Sequence, residues 1–389
     1  MASRHVYLDY AASSPLCTEA LEAERAYEAA PYAGANPNSL HTLGRQAARA
    51  LDGARGDLAR CLAGGFRPAD VTFTSGGTES NNLALLGLAE GARARDRRRT
   101  RVLLSSIEHD SVLDVAPSLR DRGFEVGLVP ANRDGVVTAQ AVESMLDRDV
   151  AIVSVMAANN ETGIAQPIGA IAKASHAVGA VMHTDAVQAF GRIPLDLRDV
   201  DAVSIAAHKI GGPVGAGILA LRTRVSLRPQ SFGGGQEQGR RAGTQDVRGA
   251  LAMAAAARAC LEHLEERSRI VSKRSQKLVE AVCGPETGIY ETVSIPYGNG
   301  RLPGLVSLLV EGVDSETLVL SLDEAGFEVS AGSACSSGSL DPSHVLLAMG
   351  IPRNEAFNSL RISFDERVSE DDLADFGHAL LEVVRARRK

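Results

Sequence analysis

Ala202-Val-Ser-Ile-Ala-Ala-His-Lys209-Ile-Gly-Gly-Pro-Val-Gly-Ala-Gly217-Ile-Leu-Ala-Leu221 is the stretch that decides the fold. It holds an apolar run, a histidine–lysine pair, a glycine-rich turn and a second apolar run. A short continuous apolar run bounded by turn residues reads as a strand buried on both faces. A lysine just past such a strand is an ordinary surface residue unless a pocket holds it. One that forms a Schiff base must sit where its pKa is lowered.

The same pattern recurs upstream. Val71-Thr-Phe-Thr, Val102-Leu-Leu-Ser, Val126-Gly-Leu-Val, Ala151-Ile-Val-Ser-Val and Ala180-Val-Met-His are strand-like runs, each followed by a polar loop and then a helical pattern. Apolar strands alternating with helices predict an α/β fold with a mainly parallel sheet covered by helices. Downstream, Gly249 to about Val282 is rich in Ala, Leu, Glu, Arg and Lys and reads as a long connecting helix. The last third adds strands at Leu305-Val-Ser-Leu-Leu-Val and Arg361-Ile-Ser-Phe. A final helix starts near a capping box at Ser369-Glu-Asp-Asp372, with Leu373, Phe376, Leu380, Leu381 and Val384 on one face. A chain of 389 residues suits a large domain plus a smaller α/β one. The expected division is 16–260 for the large domain, with 1–15 and 261–389 forming the small one.

Bulk properties exclude several classes. Lys+Arg total 41 against 48 Asp+Glu, a net charge of -7, which disfavours nucleic acid and anionic membranes as partners. The one basic run, Arg93 to Arg101, follows an apparent helix and reads as a solvated loop. The most apolar helical run, Leu251 to Ala257, is too short to span a membrane, and Met1-Ala-Ser-Arg-His-Val is no secretory signal. Five widely spaced cysteines without a Cys-x-x-Cys pair suggest free thiols in a reducing, cytoplasmic setting and support no zinc ribbon; no metal is expected.

The chemically capable residues lie just after the strand-like runs, where open α/β sheets bind ligands. Ser75-Gly-Gly-Thr78-Glu-Ser-Asn precedes a helical stretch and could wrap a phosphate in backbone N–H groups, or be an ordinary capped turn. Neither G-x-x-x-x-G-K-[ST] nor G-x-G-x-x-G is present, which argues against ATP-type and dinucleotide loops. Glu108-His109, Asn159-Asn160-Glu161 and His183-Thr-Asp185-Ala-Val-Gln188 follow later strands. Each is weak alone. Together, a phosphate loop, a lysine, a carboxylate with a nearby Gln and a histidine are the parts that pyridoxal-phosphate (PLP) chemistry requires.

At this point the chain resembles the cysteine desulfurases, within the class V aminotransferase group of fold-type I PLP enzymes. The match runs from Tyr7-Leu-Asp-Tyr-Ala-Ala12 to Arg361-Ile-Ser. It rests on Asn36-Pro-Asn-Ser-Leu-His41, Phe73-Thr-Ser-Gly-Gly-Thr-Glu-Ser80, Glu108-His109, Asn159-Asn-Glu-Thr-Gly163, His183-Thr-Asp-Ala-Val-Gln188, His208-Lys209, Arg241-Ala-Gly-Thr244 and Gly332-Ser-Ala-Cys335. The resemblance implies a large PLP domain and a small domain that carries the catalytic cysteine loop. It implies that Lys209 holds PLP and shuttles the Cα proton, that Asp185 pairs with the pyridinium nitrogen and that Gln188 donates to the ring phenolate. His109 would stack on the ring and take part in proton transfer. Gly77, Thr78 and His208 would bind the phosphate, and Thr244 the phosphate of a partner subunit, hence a homodimer. Asn160 and Arg361 would hold the carboxylate of L-cysteine. Cys335 would receive the sulfur as a persulfide, for delivery to an acceptor protein; its context, Ser330-Ala-Gly-Ser-Ala-Cys-Ser-Ser-Gly-Ser339, is small and polar, unlike that of a packed cysteine. Leu340-Asp-Pro-Ser-His-Val resembles the group with a longer catalytic loop. The other four cysteines lie in helix-like or apolar settings and are assigned no chemistry.

Three positions depart from the family pattern: Ala206 where many relatives have a phosphate-binding Ser, Val214 where Lys is frequent, and Phe364-Asp-Glu-Arg367 in place of a glycine-containing turn. The chain stops at Lys389, without the C-terminal tail that housekeeping relatives use on scaffold proteins. Two other readings compete. One is a different class V activity, selenocysteine lyase or aminotransferase, for which Cys335 is the discriminating residue. The other is a non-catalytic sulfur-transfer partner, supported by Ala206 alone.

Overall fold

The computed structural model describes residues 5–62, 64–298, 300–332 and 341–387, so Cys335 lies outside the described residues. The strands are β1 (Val6–Tyr7), β2 (Val71–Thr74), β3 (Arg101–Ser105), β4 (Glu125–Val129), β5 (Val150–Ser154), β6 (Val181–Asp185), β7 (Ala202–Ala206), β8 (Gly217–Leu221), β9 (Ile289–Glu291), β10 (Leu305–Val310), β11 (Phe327–Glu328) and β12 (Ser359–Ser363).

A seven-stranded sheet runs β2-β8-β7-β6-β5-β3-β4. Strand β8 pairs antiparallel with both β2 and β7, and the other neighbours pair parallel. Its strands read as unbroken apolar runs because both faces are covered. On β3, Leu103 joins one buried cluster while Val102 and Leu104 join the cluster on the opposite face. Each such side chain contributes roughly 1.5–3 kcal/mol when removed from water. Edge strand β4 is the exception, with Leu128 52% exposed. Parallel pairing has one consequence for function. The carboxyl ends of β2, β3, β5, β6 and β7 emerge along one edge of the sheet, so the loops after them meet.

A second core surrounds the antiparallel sheet β12-β10-β9 and includes Leu278, Leu318, Phe376 and Leu380 from three flanking helices. Strand β1 pairs parallel with β11, and Leu8 belongs to this core. Thus the start of the chain packs with its last third before Ala11 and Ala12 reach the large sheet.

Two sequence expectations need correction. The segment 249–282 is two helices, Val247–Leu261 and Leu264–Val282, separated at His263, whose φ is 52°. Helix propensity favours both halves equally and cannot see this break. The Arg267 guanidinium stabilises it by donating to the carbonyls of Ala259 and Cys260, at 3.1 and 3.2 Å. The basic run is also not a plain solvated loop. Arg93 and Arg95 complete the helix Gly77–Arg95, Arg93 lies 3.9 Å from the Phe124 ring centroid, and Arg99 donates to the carbonyls of Val150 and Val178. Arg95, Arg97 and Arg98 are the exposed members, and Arg93 and Arg99 are half-buried.

Candidate active site

Strand β7 ends at Ala206, and one tight turn, Ala207–Lys209, projects the lysine. Its Nζ donates to the carbonyl of Ala11 at 2.6 Å and of Ala12 at 2.8 Å. Gln188 Nε2 donates to the same Ala11 oxygen at 2.8 Å, so these two side chains meet at one atom. The Oε1 of Gln188 is buried with no partner among the described residues. His208 places Nδ1 3.3 Å from Ser13 Oγ. Burial, aided by the neighbouring Lys209 charge, pulls its pKa down to about 4, so its imidazole is neutral near pH 7.

Opposite the lysine turn stands the N-terminus of the helix Gly77–Arg95. The approach is close: a Cβ on Gly217, the first residue of β8, would meet the Gly76 Cα at 2.6 Å, and Gly76 itself has φ 151°. Both positions therefore need glycine. A Cβ on Gly77 would stand 2.9 Å from Val187 Cγ2 and 3.6 Å from Ala206 Cβ. The helix start thus faces both the Asp185 loop and the end of β7. Thr78 is exposed at this terminus. Glu79 accepts from Ser75 N at 2.6 Å and from Arg241 Nε at 2.8 Å. Burial raises its pKa, but the Arg241 and Ser75 hydrogen bonds outweigh that and keep it low. This pair pins the segment leading to Thr244, itself exposed, beside the helix start.

Asp185 ends β6 and is 6% exposed. Its Oδ1 accepts from Val187 N at 2.9 Å and its Oδ2 from Asn81 Nδ2 at 2.7 Å. Asn81 also donates to Ser111 Oγ at 2.9 Å, and Ser111 Oγ lies 2.9 Å from His109 Nδ1. Because His109 Nδ1 accepts from Ser111 N at 3.0 Å, the neutral ring carries its proton on Nε2. One network therefore joins Asp185 to His109. Sequence reasoning missed Asn81 and Ser111; a polar Asn inside the buried stretch Ser80–Leu86 was the available signal. Beneath Asp185, His183 sits between Ser154 Oγ (2.8 Å) and Ser204 Oγ (3.0 Å). Burial drives its pKa down to about 3, so it is a neutral structural imidazole. Glu108, fully buried, accepts from Met156 N at 2.6 Å through Oε1, while Oε2 has no partner among the described residues. Burial, and next the Asp185 charge, push its pKa well above the usual carboxyl range.

On the other side of the cleft, Arg361 lies in β12 and is 1% exposed. Its Nη1 donates to the Asn160 carbonyl at 3.2 Å and its Nη2 to Asp9 Oδ1 at 2.7 Å. Its backbone exchanges hydrogen bonds with Ser330 at 2.8 and 3.2 Å, which holds the chain just before the Cys335 segment. Beyond that segment, Ser343 Oγ donates to Glu161 Oε2, and a Cβ on Gly332 would lie 3.3 Å from the same oxygen. Burial raises the Glu161 pKa, with the Ser343 bond opposing. The divergent turn Phe364–Arg367 braces the start of the chain, with Arg367 Nη1 donating to Pro15 O at 3.1 Å and the guanidinium 5.2 Å from the Tyr10 ring centroid.

A cavity of about 440 Å³ reaches the rear of Lys209 and is lined by Arg192, Cys260 and Arg367 among others. It includes neither Asp185 nor His109 and is not where those residues converge. The four described cysteines are Cys17, Cys61, Cys260 and Cys283. Burial raises all four thiols, Cys260 and Cys283 to about 12, so none is suited to be a thiolate near neutral pH.

PLP fits these residues. Gly76 and Gly77 leave a helix start bare of side chains, which suits a phosphate. Asp185 offers a buried carboxylate, Lys209 an amine, and the unpaired Gln188 oxygen marks a polar position without a protein partner.

The family model for aminotransferase class-V matches residues 6–376. An IscS-like cysteine desulfurase of Mycobacterium tuberculosis is 40% identical over 397 residues, covering 98% of this chain and 97% of that protein. The cysteine desulfurase NifS of Azotobacter vinelandii is 36% identical, covering 95% and 90%. Among solved structures, a NifS-like protein superposes with a TM-score of 0.88 at 33% identity, covering 98% of this chain and all of that one. SspA, solved in complex with cysteine, gives a TM-score of 0.78 at 31% identity, covering 92% of this chain and 98% of that one. With the family matched along nearly its whole length and the PLP-type site assembled at the sheet edge, the chain belongs to the class V aminotransferase family, among its cysteine desulfurases.

Proposed function

We propose that this enzyme converts L-cysteine to L-alanine and takes the sulfur on Cys335 as a persulfide, using PLP seated between the helix start at Gly77 and Asp185. The observation that carries this is the convergence of Lys209 and Gln188 on Ala11 O, with Asp185 and the bare helix N-terminus beside them. PLP supplies the electron sink for charge developing at the substrate Cα. Asp185, held by Asn81 and Val187, keeps negative charge where the pyridinium N–H would lie. Gln188 has a second Nε2 hydrogen to offer beyond the one Ala11 takes. Gly77, Thr78 and neutral His208 supply donors to the phosphate. Lys209 removes the Cα proton, and His109, with its proton on Nε2, faces the same chemistry. Arg361 and Asn160 seat the substrate carboxylate.

The Cys335 thiolate then attacks the substrate sulfur. An S–S bond forms, the Cβ–S bond breaks, its electron pair stays with Cβ, and Cβ is protonated to give alanine. The raised pKa of the four described cysteines supports Cys335 as the nucleophile. The residue range 16–260 forms the large domain, and 1–15 with 261–389 the small one; the pairing of β1 with β11 supports that division. A homodimer brings Thr244 to the partner's phosphate. Leu40, Phe232 and Val214, each more than 80% exposed, support an apolar contact face, and the Asn38–Gln245 hydrogen bond ties the Leu40 segment to the Thr244 segment. The persulfide passes to an acceptor protein in the cytoplasm. No helix among the described residues is long and apolar enough to cross a membrane.

The test is single-turnover alanine release and protein persulfide formation from L-cysteine, comparing wild type with Cys335→Ala. Loss of both in the variant supports the scheme. A variant that matches wild type overturns it and favours another class V reaction.

A further inference from the structure

Arg361 is already engaged by a carboxylate of the protein itself. Asp9 Oδ1 takes its Nη2 at 2.7 Å, the Asn160 carbonyl takes Nη1 at 3.2 Å, and Nε is buried with no partner among the described residues. In a guanidinium, the Nε–H and an Nη2 hydrogen form a two-pronged edge that matches the two oxygens of a carboxylate. Asp9 uses one prong and leaves the other unsatisfied. A buried N–H without a partner keeps its desolvation cost, so this edge favours a ligand that can use both prongs.

Charge leads to the same conclusion. Arg361 and Asp9 together are neutral. An incoming α-carboxylate meets that neutral pair and must displace Asp9 or be repelled by it. Asp9 is suited to yield. Its backbone is fixed, with its carbonyl accepting from Ala12 N at 3.0 Å and Tyr7 Oη at 3.0 Å. Its side chain is 19% exposed against 2% for Arg361, so a side-chain rotation alone releases the contact. Two residues on, Ala11 accepts from Lys209 and Gln188, so the exchange takes place on the strap that also holds the lysine.

We propose that Asp9 is a placeholder carboxylate: it occupies Arg361 in the free enzyme and is displaced from Nη2 by the α-carboxylate of the amino-acid substrate. In the free enzyme it prevents a buried guanidinium from standing uncompensated, which would be strongly destabilising. The proposal rests on the assignment of Arg361 as the seat of that carboxylate.

The experiment titrates PLP-loaded enzyme with L-alanine, which has the amino and carboxylate groups without sulfur, and follows the visible absorbance of the bound cofactor. Cysteamine, an aminothiol without a carboxylate, is the control. Asp9→Asn is expected to bind L-alanine about tenfold tighter, the effect of removing one competing charge-assisted hydrogen bond, with cysteamine binding unchanged. KM for L-cysteine falls in parallel while kcat does not rise. Unchanged or weaker L-alanine binding, or equal tightening for cysteamine, overturns the proposal. Arg361→Gln separates the two claims. If it binds L-alanine as wild type does, the seat itself is misassigned and the placeholder falls with it. If it loses L-alanine binding while Asp9→Asn gains nothing, the placeholder alone is wrong. Should Asp9→Asn fail to take up PLP, Asp9→Glu carries the test. Retaining the charge with a longer reach, it is expected to bind L-alanine no more tightly than wild type, and tighter binding overturns the proposal.

Discussion

Asp185 and Arg361 are both buried charged side chains, yet their surroundings differ. Asp185 has both oxygens hydrogen-bonded, at 2.9 and 2.7 Å, to groups on its own sheet edge and the helix that faces it. Arg361 meets Asp9 from 352 positions away in sequence, meets Asn160 through a backbone carbonyl, and leaves Nε unpaired among the described residues. The cofactor side is preorganised, so its dipoles cost nothing to orient when the ligand arrives. The substrate side has to exchange partners each time substrate enters. Variants on the first side should therefore fail in chemistry, and variants on the second in substrate affinity.

The largest effect tests the first half of that contrast. Lys209→Ala is expected to lower alanine production by about 10⁴-fold, the upper range for loss of a positioned acid–base group. Far-UV circular dichroism should be unchanged, because Lys209 lies in a single short turn after β7 and its Nζ donates to the carbonyls of Ala11 and Ala12, outside any helix or strand. A variant retaining a tenth of wild-type turnover would move the proton-transfer role away from Lys209. Next in size, Arg361→Gln is expected to raise KM for L-cysteine by about 10²-fold with a smaller change in kcat, since a charge-assisted contact to the carboxylate is lost in ground and transition states alike. A kcat loss that exceeds the KM change would contradict the split between the two sides.

How much of this was legible beforehand follows the same division. The strands, their loops and the fold class could be read because each depends on local patterning: Lys209, Asp185 and the Gly76–Gly77 pair lie directly after apolar runs. The break at His263 escaped because two good helical sequences were joined by a residue whose left-handed backbone no composition reveals. Arg99 and Arg101 read as surface charge because their backbone acceptors and carboxylate partners come from distant segments. The Asp9–Arg361 contact and the Asn81–Ser111 bridge are tertiary pairings, which sequence spacing does not encode. In the sequence Glu108 is only a neighbour of His109; its burial beside Asp185 emerges from the packing.

Ala206 gives a smaller test on the preorganised side. Its Cβ faces the Gly77 helix start, so Ala206→Ser would place a hydroxyl where the phosphate is expected. One added hydrogen bond to a charged group should tighten PLP binding about tenfold, measured by equilibrium dialysis. The PLP-free variant should be less stable by about 1 kcal/mol, because the same hydroxyl is then buried without its partner. Equal affinity in the two proteins would mean that another donor already fills the position.

Glu108 gives the smallest effect and bears on why the bed under Asp185 stays fixed. Burial, with the Asp185 charge adding to it, raises the Glu108 pKa, so the folded protein favours the protonated carboxyl more than the unfolded chain does. The stability this provides is fully present below the unfolded pKa, near 4.5, and is lost as pH rises through the folded value. Glu108→Gln keeps the shape and an oxygen for Met156 N but cannot ionise. At pH 4.5 its thermal midpoint should match wild type within about 2 °C, an isosteric change worth about 0.5 kcal/mol. From there upward wild type should lose ground to the variant, so that near pH 9 the glutamine protein is the more stable. If the two midpoints instead stay parallel across that range, Glu108 is ionised in the folded state. The cofactor bed would then rest on two adjacent buried carboxylates rather than on one carboxylate and one neutral acid.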